Sequence, residues 1–327
     1  MTTMRAAVCH EYGSPESLVI EERPMPVAGP TQVLIEVAFA ALNFPDLLII
    51  ANQYQVSVPT PFIPGSEISG VVVDVGNEVT SLNVGDRVFG SVFHGAFATH
   101  LVANATSMRK VPDGVSLEST AGFWVAHSTA YHALRSVADV QPGQTVAVLG
   151  AAGGVGMAAI EVAVLRGARV TAISAGEERL AECVRMGATH TIDYSKVDVR
   201  DALKACEPAG IDVVIDPVGG PFAERALRAM SWGGRFVTVG FASGEIPRIP
   251  LNLVLLKGVI IRGFEMRTFY ERAPELARRD EKELMELLAS GQLKPHISSI
   301  HPLNHVGAAL RKMADRKLTG KVLLGMH

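Results

Sequence analysis

The sequence predicts an α/β protein made of a partly open β-barrel and a doubly wound parallel sheet. Residues 4–102 read as many short strands separated by glycine and proline turns, which is typical of an all-β unit. From residue 117 onward, helical and strand-like segments alternate, as a parallel sheet requires. Within that second part, residues 144–174 read as strand, glycine-rich turn, helix and strand. A chain of 327 residues is long for one domain and suits two.

In the first part, strands are predicted from runs of apolar or alternating apolar and polar residues that end at turn residues. A short helix is predicted over 43–50, and a proline-rich loop follows it over 53–64. The predicted strands of this part are 4–8, 18–22, 32–40, 68–75, 86–92 and 96–102.

In the second part, segments with the hydrophobic pattern of a helix alternate with short apolar segments typical of strands, and the strand ends carry small or turn residues. The predicted strands are 145–149, 168–174, 191–194, 211–215, 236–239 and 259–264, and the predicted helices are 117–136, 157–165, 177–186, 198–205, 222–230, 274–290 and 305–315. Segments 293–300 and 320–324 read as strands that return to the β-unit. We therefore predict one domain from 1–121 with 266–327, and a second, inserted domain from 122–265.

The glycine-rich turn carries the pattern Ala151-x-Gly153-x-x-Gly156, a variant of the dinucleotide fingerprint. Small residues at 151 and 153 keep side-chain bulk away from a pyrophosphate, and Gly156 lets the helix lie close to the strand. Free N–H groups at the helix start then face the phosphates. The flanking strand and helix make this pattern specific for a dinucleotide site.

The end of the second strand of this unit indicates which dinucleotide binds. NAD sites place a carboxylate ~20 residues after the fingerprint, whereas this strand ends at Ser174 without one. Arg179 follows, and its guanidinium suits a 2′-phosphate. The sequence therefore predicts NADP(H). Glu177 and Glu178 argue against this, unless they simply complement a helix N-terminus.

Composition excludes several classes of partner. The net charge is −3 and no basic run is present, so we expect neither nucleic acid nor an anionic membrane as a partner. No apolar run reaches the length of a membrane span, and residues 1–13 lack the apolar segment of a secretory signal. The scattered Cys9, Cys183 and Cys206 suit reduced thiols, which predicts a cytoplasmic protein.

Four motifs now point to a family. They are AAGGVG at 151–156, NFPD at 43–46, PGSE at 64–67 and GKVLL at 320–324. With the order of the elements, they resemble the zinc-independent medium-chain dehydrogenase/reductases, and among them the NADPH:quinone oxidoreductases and their acrylyl-CoA-reductase-like relatives. The resemblance covers the whole chain and implies a GroES-like catalytic domain and a Rossmann cofactor domain.

The resemblance also bears on metals. The zinc-dependent branch has Cys where this chain has Asn43, and His where it has Ser66. Neither an amide nor a hydroxyl is a competent ligand for catalytic zinc. His94 and His100 lack the clustered cysteines of the family's structural zinc loop. No metal site is therefore expected.

The resemblance implies a cofactor site residue by residue. The pyrophosphate would be held by Ala152, Gly153, Gly154 and Val155, and the 2′-phosphate would be surrounded by Ser174, Arg179 and Tyr194. The nicotinamide half would be lined by Val218, Gly240, Phe241 and Ser243. Its ribose or carboxamide would be approached by Thr129 and Asn43, and Lys321 would lie near the cofactor. Three of these have plain alternatives, since Tyr194 could cap a strand edge, Phe241 could be core and Lys321 could be a solvated charge.

Without zinc, the acceptor must already be activated, which favours quinones or alkenes conjugated to a carbonyl. Tyr54 is the first candidate for substrate contact or proton donation, with loop packing as the alternative. His127 is a second possible proton donor, with a packed helix histidine as the alternative. Asp46 is expected to order Asn43 or a network in the cleft rather than to act as a base.

Three functions follow from the resemblance. The first is an NADPH-dependent reductase of quinones or enones, the second an acryloyl- or enoyl-CoA thioester reductase, and the third an NADPH-binding structural or regulatory protein like the lens crystallins of the family. The apolar strand 259–264 is expected at a sheet edge, where relatives pair across a two-fold axis. We therefore predict a homodimer.

Overall fold

A computed structural model of the protein describes residues 2–326. The chain divides into two compact units, which are Met1–Val125 with Lys294–His327 (unit 1) and Ala126–Leu293 (unit 2). Unit 2 is thus inserted into unit 1. The boundaries differ from the predicted ones at residues 122–125, which belong to unit 1, and at 266–293, which belong to unit 2.

The elements follow the predicted alternation. The strands are β1 (Thr3–Val8), β2 (Val19–Pro24), β3 (Gln32–Ala41), β4 (Glu67–Val75), β5 (Arg87–Ser91), β6 (His100–Asn104), β7 (Met108–Lys110), β8 (Thr145–Leu149), β9 (Arg169–Ser174), β10 (His190–Asp193), β11 (Ile211–Asp216), β12 (Met230–Thr238), β13 (Ile260–Gly263), β14 (Ile297–Pro302) and β15 (Lys321–Gly325). The α-helices are α1 (Phe44–Ile50), α2 (Leu117–Ala121), α3 (Trp124–His132), α4 (Gly154–Leu165), α5 (Glu177–Arg185), α6 (Val199–Cys206), α7 (Pro221–Ala229), α8 (Leu251–Lys257), α9 (Met266–Arg272), α10 (Pro274–Ala289) and α11 (Val306–Ala314).

Unit 1 is built on a mixed sheet whose strands run in the order β14-β15-β3-β4-β5-β7, with β6 pairing β3. β15 lies antiparallel to β3, with Leu323 opposite Ala41, so the end of the chain completes the sheet begun near its start. The core residues Ile35, Ile68 and Phe97 are completely buried. The predicted GroES-like β-unit is confirmed.

Unit 2 is built on a parallel sheet with the order β10-β9-β8-β11-β12-β13. In order of appearance this is 3-2-1-4-5-6, the doubly wound Rossmann arrangement, whose direction reverses between β8 and β11. Ligands of such sheets bind at the carboxyl ends of the strands beside that reversal. The predicted Rossmann domain is confirmed, and β13 ends the sheet as an edge strand.

Residues 266–293 belong to unit 2, where polar contacts join α10 to α3 and to the turn that follows it. Asp280 accepts hydrogen bonds from His132 Nδ1 at 3.0 Å and from Ser136 Oγ at 2.5 Å. Tyr131 donates to Glu283 at 2.6 Å. Removing His132 or Asp280 would leave a buried polar group without this partner, so the helix is anchored by contacts that its local sequence pattern does not reveal.

Some elements differ from their predictions. The helical segment predicted over 117–136, with a light break around Trp124, is divided there into α2 and α3 and ends in a π-helical turn, Ala133–Val137, that was not predicted. β12 begins at Met230, six residues before its predicted start, because Gly233 and Gly234 lower the strand signal there. Helix α8 was not predicted. Within residues 2–326, no helix combines the length and apolarity that a membrane crossing needs.

Candidate cofactor and catalytic site

The fingerprint turn joins β8 to α4 and presents a helix N-terminus. Gly153 precedes the helix, and the N–H of Met157 donates to its carbonyl at 2.9 Å. Among the described residues, no side chain caps the helix start. The first-turn N–H groups, on Gly154, Val155 and Gly156, therefore suit an anion.

Close packing explains why glycines occupy this turn. A Cβ on Gly156 would lie 2.3 Å from Gly150 O and 2.7 Å from Ala151 Cα, both backbone atoms. Gly150 itself has φ +61°, and a Cβ on it would meet Val218 at 2.6 Å. A Cβ on Gly153 would approach Gly150 O only to 3.3 Å. The fingerprint thus fits a pyrophosphate, with Gly156 needed for helix packing and Gly153 for open space.

The predicted 2′-phosphate residues gather at the carboxyl ends of β9 and β10. Ser174 is buried at the end of β9 and pairs in register with Asp193. Arg179 is half-buried in α5, and the Tyr194 ring packs on Phe222 with centroids 4.5 Å apart. Ser174 and Tyr194 thus lie at the ends of adjacent strands, and Arg179 lies in the first turn of the helix that follows β9. Both readings of Tyr194, as a cofactor contact and as a strand cap, stay predictions.

One acid at this edge was missed. Asp193 Oδ1 accepts from Ser195 N–H at 3.0 Å and from its hydroxyl at 2.5 Å, while Oδ2 accepts from Gly176 N–H at 3.3 Å. The Ser195 hydrogen bonds hold the pKa of the Asp193 carboxyl below its usual value. Because these donors occupy the carboxylate, it orders the loop beside Arg179.

The loops after β11 and β12 carry the predicted nicotinamide residues. Asp216 Oδ1 accepts the N–H groups of Val218 and Gly219, both at 2.8 Å, and Ser243 N–H donates to Val218 O at 2.8 Å. Burial raises the pKa of Asp216, and its Oδ2 has no hydrogen-bond partner in the described part of the chain. Phe241 is 40% exposed, so its alternative as a core residue is excluded.

These contacts draw the two loops together. The Gly240 N–H donates to Asp216 O at 3.3 Å, and a Cβ on Gly240 would lie 3.5 Å from Pro217 O. The structure therefore places Val218, Gly240, Phe241 and Ser243 side by side at the carboxyl ends of β11 and β12. Sequence reasoning missed Asp216 as the residue that organises them.

Helix α3 holds two further predicted residues of unit 2. Thr129 is buried in this helix. His127 is 2% exposed, and its Nε2 lies 2.9 Å from Glu161 Oε2 on α4. This pairing departs from the predicted proton donor and supports the alternative of a packed helix histidine, because the ring ties α3 to α4.

In unit 1, Asn43 begins helix α1 and belongs to a buried polar cluster. Its N–H donates to Asp46 Oδ2 at 2.7 Å, and the Ser66 hydroxyl donates to Asp46 Oδ1 at 2.9 Å. Burial raises the pKa of Asp46 to about 7, although both hydrogen bonds oppose the change. Asp46 thus orders Asn43, as expected.

Lys321 completes this cluster from β15. Its Nζ donates to Asn43 Oδ1 at 2.7 Å, to Glu67 Oε2 at 2.9 Å and to Leu42 O at 3.3 Å. Lys321 is 4% exposed, so it is not a solvated charge. Three protein oxygens already occupy the ammonium, and a place for Lys321 near the cofactor stays a prediction.

Tyr54 lies half-buried in the loop after α1, beside Phe93, a residue that sequence reasoning missed. Its ring centroid is 6.1 Å from that of Phe93, which is 43% exposed. The second missed residue is Glu67, which is completely buried at the start of β4. An acid at the start of a predicted strand, 68–75, was a usable signal, since a buried carboxylate needs partners.

The donor types near Asn43 bear on metal binding. Among residues 2–326, no group of three or more His, Cys, Asp or Glu side chains is placed to hold a metal ion. Asn43 and Ser66 instead make the hydrogen bonds just described. Their chemistry is that of a hydrogen-bonding site, which is the basis for the zinc-free proposal below.

Two family models match the chain. An alcohol dehydrogenase GroES-like domain matches residues 29–113, and a zinc-binding dehydrogenase domain matches residues 154–290. The quinone oxidoreductase-like protein 2 of Mus musculus is 38% identical over 327 residues, covering 98% of this chain and 92% of its own.

Solved structures agree with this relationship. The Escherichia coli quinone oxidoreductase complexed with NADPH has a TM-score of 0.90 and 26% identity, covering 100% of each chain. A mycobacterial protein complexed with NADPH has a TM-score of 0.91 and 29% identity, covering 99% of this chain and 100% of its own. This chain belongs to the medium-chain dehydrogenase/reductase family and is related to its quinone oxidoreductases.

Proposed function

We propose that this protein is an NADPH-dependent oxidoreductase that reduces quinones or α,β-unsaturated carbonyl compounds without zinc. The observation that carries the proposal is the uncapped start of α4 at Gly153–Gly156, at the reversal point of a doubly wound sheet. Relatives of the same architecture are quinone oxidoreductases solved with NADPH. When bound, NADPH would supply the hydride.

The residues of unit 2 fit this cofactor. Main-chain N–H groups at the start of α4 would hold the pyrophosphate, and the open space at Gly153 admits it. Arg179 and Tyr194 would bind the 2′-phosphate, and Ser174 would shape that edge. The loops at Val218 and Gly240 would hold the nicotinamide half, with Thr129 contributing from α3.

The residues of unit 1 would handle the acceptor. An Asn43 amide and a Ser66 hydroxyl replace the ligands of the zinc-dependent branch, so hydrogen bonding rather than a Lewis acid would stabilise the developing oxyanion. This suits acceptors that are already electron-poor. The Tyr54 hydroxyl would contact the acceptor or donate the proton that an enone requires.

An acceptor panel tests this proposal. NADPH oxidation is measured with a benzoquinone, with an enone, with acryloyl-CoA and with no acceptor. We expect turnover with the quinone or the enone and a rate near zero without an acceptor. Turnover confined to acryloyl-CoA would establish the thioester reductase instead. Tight NADPH binding without turnover of any acceptor would contradict the enzyme and favour a structural or regulatory protein.

Replacement of Arg179 tests the choice of cofactor. For Arg179→Ala we expect NADPH affinity to fall about 10- to 100-fold, because a charge-assisted hydrogen bond contributes about 1.5–3 kcal/mol. NADH affinity should stay within about twofold, since NADH lacks the 2′-phosphate. Titration calorimetry with both cofactors measures the two values.

The matched control for this variant is Arg185→Ala on the same helix. Arg185 is exposed and pairs with Glu182, so its loss should leave both affinities unchanged. Equal NADPH affinity in Arg179→Ala and wild type would remove the 2′-phosphate contact from the proposal.

We also propose that a second copy of this chain covers the edge strand β13. Its residues Ile260 and Ile261 are exposed, and so are Leu255 and Leu256 of the preceding helix α8. An apolar, unpaired strand edge is protected most simply by pairing across a two-fold axis. The occupant we infer is therefore an identical protomer.

The homodimer predicts a clear effect of charge at the edge. Wild-type protein should show twice the monomer mass by light scattering at micromolar concentration, and Ile261→Lys should shift it to the monomer. Val73→Lys, at an exposed position of β4, is the control and should remain dimeric. A monomeric wild type would contradict the proposal.

A cytoplasmic location is the remaining proposal. Cys9, Cys183 and Cys206 are all free thiols, and two of them are buried. Unpaired cysteines are typical of reducing compartments.

A further inference from the structure

The Lys321–Glu67 ion pair is buried at the centre of the polar cluster of unit 1. The side chains are 5% and 0% exposed, and Nζ lies 2.9 Å from Oε2. Removing two charges from water is unfavourable, and such a pair is weak evidence for stability by itself. Its contacts point instead to a role beyond stability.

Every polar atom of this pair is engaged in the cluster. The three Nζ hydrogens go to Asn43 Oδ1, Glu67 Oε2 and Leu42 O. The second carboxylate oxygen, Glu67 Oε1, accepts the N–H of Val125 at 2.8 Å. The pair is thus fixed by both side-chain and main-chain contacts, and Asn43 is the neutral side chain that contacts both of its charges.

These two charges determine which way the Asn43 carboxamide faces. Its Oδ1 accepts from the ammonium at 2.7 Å, while its Nδ2 donates to Glu67 Oε2 at 3.0 Å. The opposite orientation would place the NH₂ group against the ammonium and the carbonyl oxygen against the carboxylate. Both contacts would be repulsive, so the ion pair selects one orientation.

The second Nδ2 hydrogen of Asn43 is held much less firmly. Among the described residues, its acceptors are Ser66 Oγ and Ala41 O, both 3.5 Å away. That distance is at the limit of a hydrogen bond. A stronger acceptor could displace these contacts. In addition, an ammonium on Oδ1 polarises the amide and makes its N–H a better donor.

We propose that Glu67 and Lys321 are positioning residues that orient the Asn43 carboxamide and direct its weakly bound N–H to the oxygen of the electron acceptor. Asn43 would then stabilise the negative charge that develops on that oxygen during hydride transfer. The inference rests on the proposed function and deepens it, since it assigns the oxyanion donor of the same reaction.

The test compares single and double charge removals. Lys321→Met and Glu67→Gln each leave a buried charge unpaired, so both should lower the melting temperature strongly. The double variant carries no such charge and should recover most of the loss. The amide introduced by Glu67→Gln can serve Asn43 in either orientation, so the carboxamide is no longer selected. We expect kcat of the double variant to stay at least 10-fold below wild type, with KM for NADPH within twofold.

A second ion pair provides the control. Arg169 and Glu207 of unit 2 lie 3.0 Å apart, and Arg169→Met with Glu207→Gln should leave kcat unchanged. If the Lys321→Met/Glu67→Gln protein recovered kcat together with its melting temperature, the pair would be a structural element only, and the inference would be overturned.

An activity-independent measurement completes the test. The side-chain amide of Asn43 is observed by ¹⁵N NMR and identified by its loss in Asn43→Ala. We expect distinct, exchange-protected N–H signals in the wild type and at least 10-fold faster exchange in the double variant. Unchanged protection would overturn the positioning role. A wild type that reduces no acceptor would contradict the proposed function, while this signal would still decide how Asn43 is held.

Discussion

Replacing Gly156 with alanine is expected to destabilise unit 2 by about 3 kcal/mol or more, near the upper end of what overpacking costs. The added Cβ would lie 2.3 Å from Gly150 O and 2.7 Å from two atoms of the Ala151 main chain. Main-chain atoms of the turn that follows a central strand cannot move aside as a flexible side chain does. Helix α4 must therefore shift away from β8, which spoils the packing of the sheet. Urea unfolding followed by circular dichroism measures the loss.

Gly153→Ala separates helix packing from phosphate binding. Its Cβ would approach Gly150 O at 3.3 Å, a contact that a few tenths of an ångström relieve. We expect near-wild-type stability but NADPH affinity about 10- to 100-fold lower, because the methyl group enters the space in front of the helix start. For the first variant, a Gly156→Ala protein as stable as wild type would contradict the close approach of α4 to the turn after β8. Unchanged NADPH affinity in Gly153→Ala would contradict the pyrophosphate site.

The contribution of Asp46 to stability is expected to fall as pH rises from about 4 to about 7, because burial raises the pKa of Asp46 to about 7. In this range the folded protein keeps a proton on Asp46 that the unfolded chain releases, so raising the pH favours unfolding. The stabilisation by Asp46 is complete below the pKa that its carboxyl has in the unfolded chain. It is lost as the pH passes the pKa of that carboxyl in the folded protein. A difference of about three pKa units corresponds to roughly 4 kcal/mol. The negative charge of Glu67 raises the pKa of Asp46 further, whereas the positive charge of Lys321 lowers it.

The Asp46→Asn variant isolates this contribution. Asparagine can accept the Asn43 N–H and face the Ser66 hydroxyl but does not titrate, so the stability difference between variant and wild type should change by several kcal/mol between pH 4 and 7. Urea unfolding at intervals of half a pH unit measures it. Asp74→Asn, at an exposed position on β4, is the control and should leave the pH dependence as in wild type. A parallel pair of curves for Asp46→Asn and wild type would show that Asp46 is ionised in the folded protein.

Local patterns predicted much of the fold and part of the site. The strand, turn and helix around Gly153 are encoded within thirty-one consecutive residues, 144–174, and this part of the prediction is confirmed. The edge formed by Ser174 and Tyr194 followed from the family motifs. These features depend on neighbours in sequence, where periodicity and turn chemistry are informative.

Contacts between distant residues could not be predicted in the same way. Lys321 and Glu67 are separated by 254 positions, and His132 and Asp280 by 148. Nothing local distinguishes a lysine that will meet a buried carboxylate from one that stays in solvent. The role of Lys321 and the unit to which α10 belongs both depend on such pairs. The pairing of His127 with Glu161 was missed for the same reason.

The place of β15 has a consequence for biosynthesis. Unit 2 is one continuous stretch of the chain, so it can fold as soon as that stretch has emerged from the ribosome. The sheet of unit 1 must wait for completion, because β15, which also pairs with β3, is translated after all of unit 2. Until then the nascent chain holds the Glu67 carboxylate without its ammonium partner. A protein truncated before Lys321 should therefore be recognised by chaperones and proteases as incomplete.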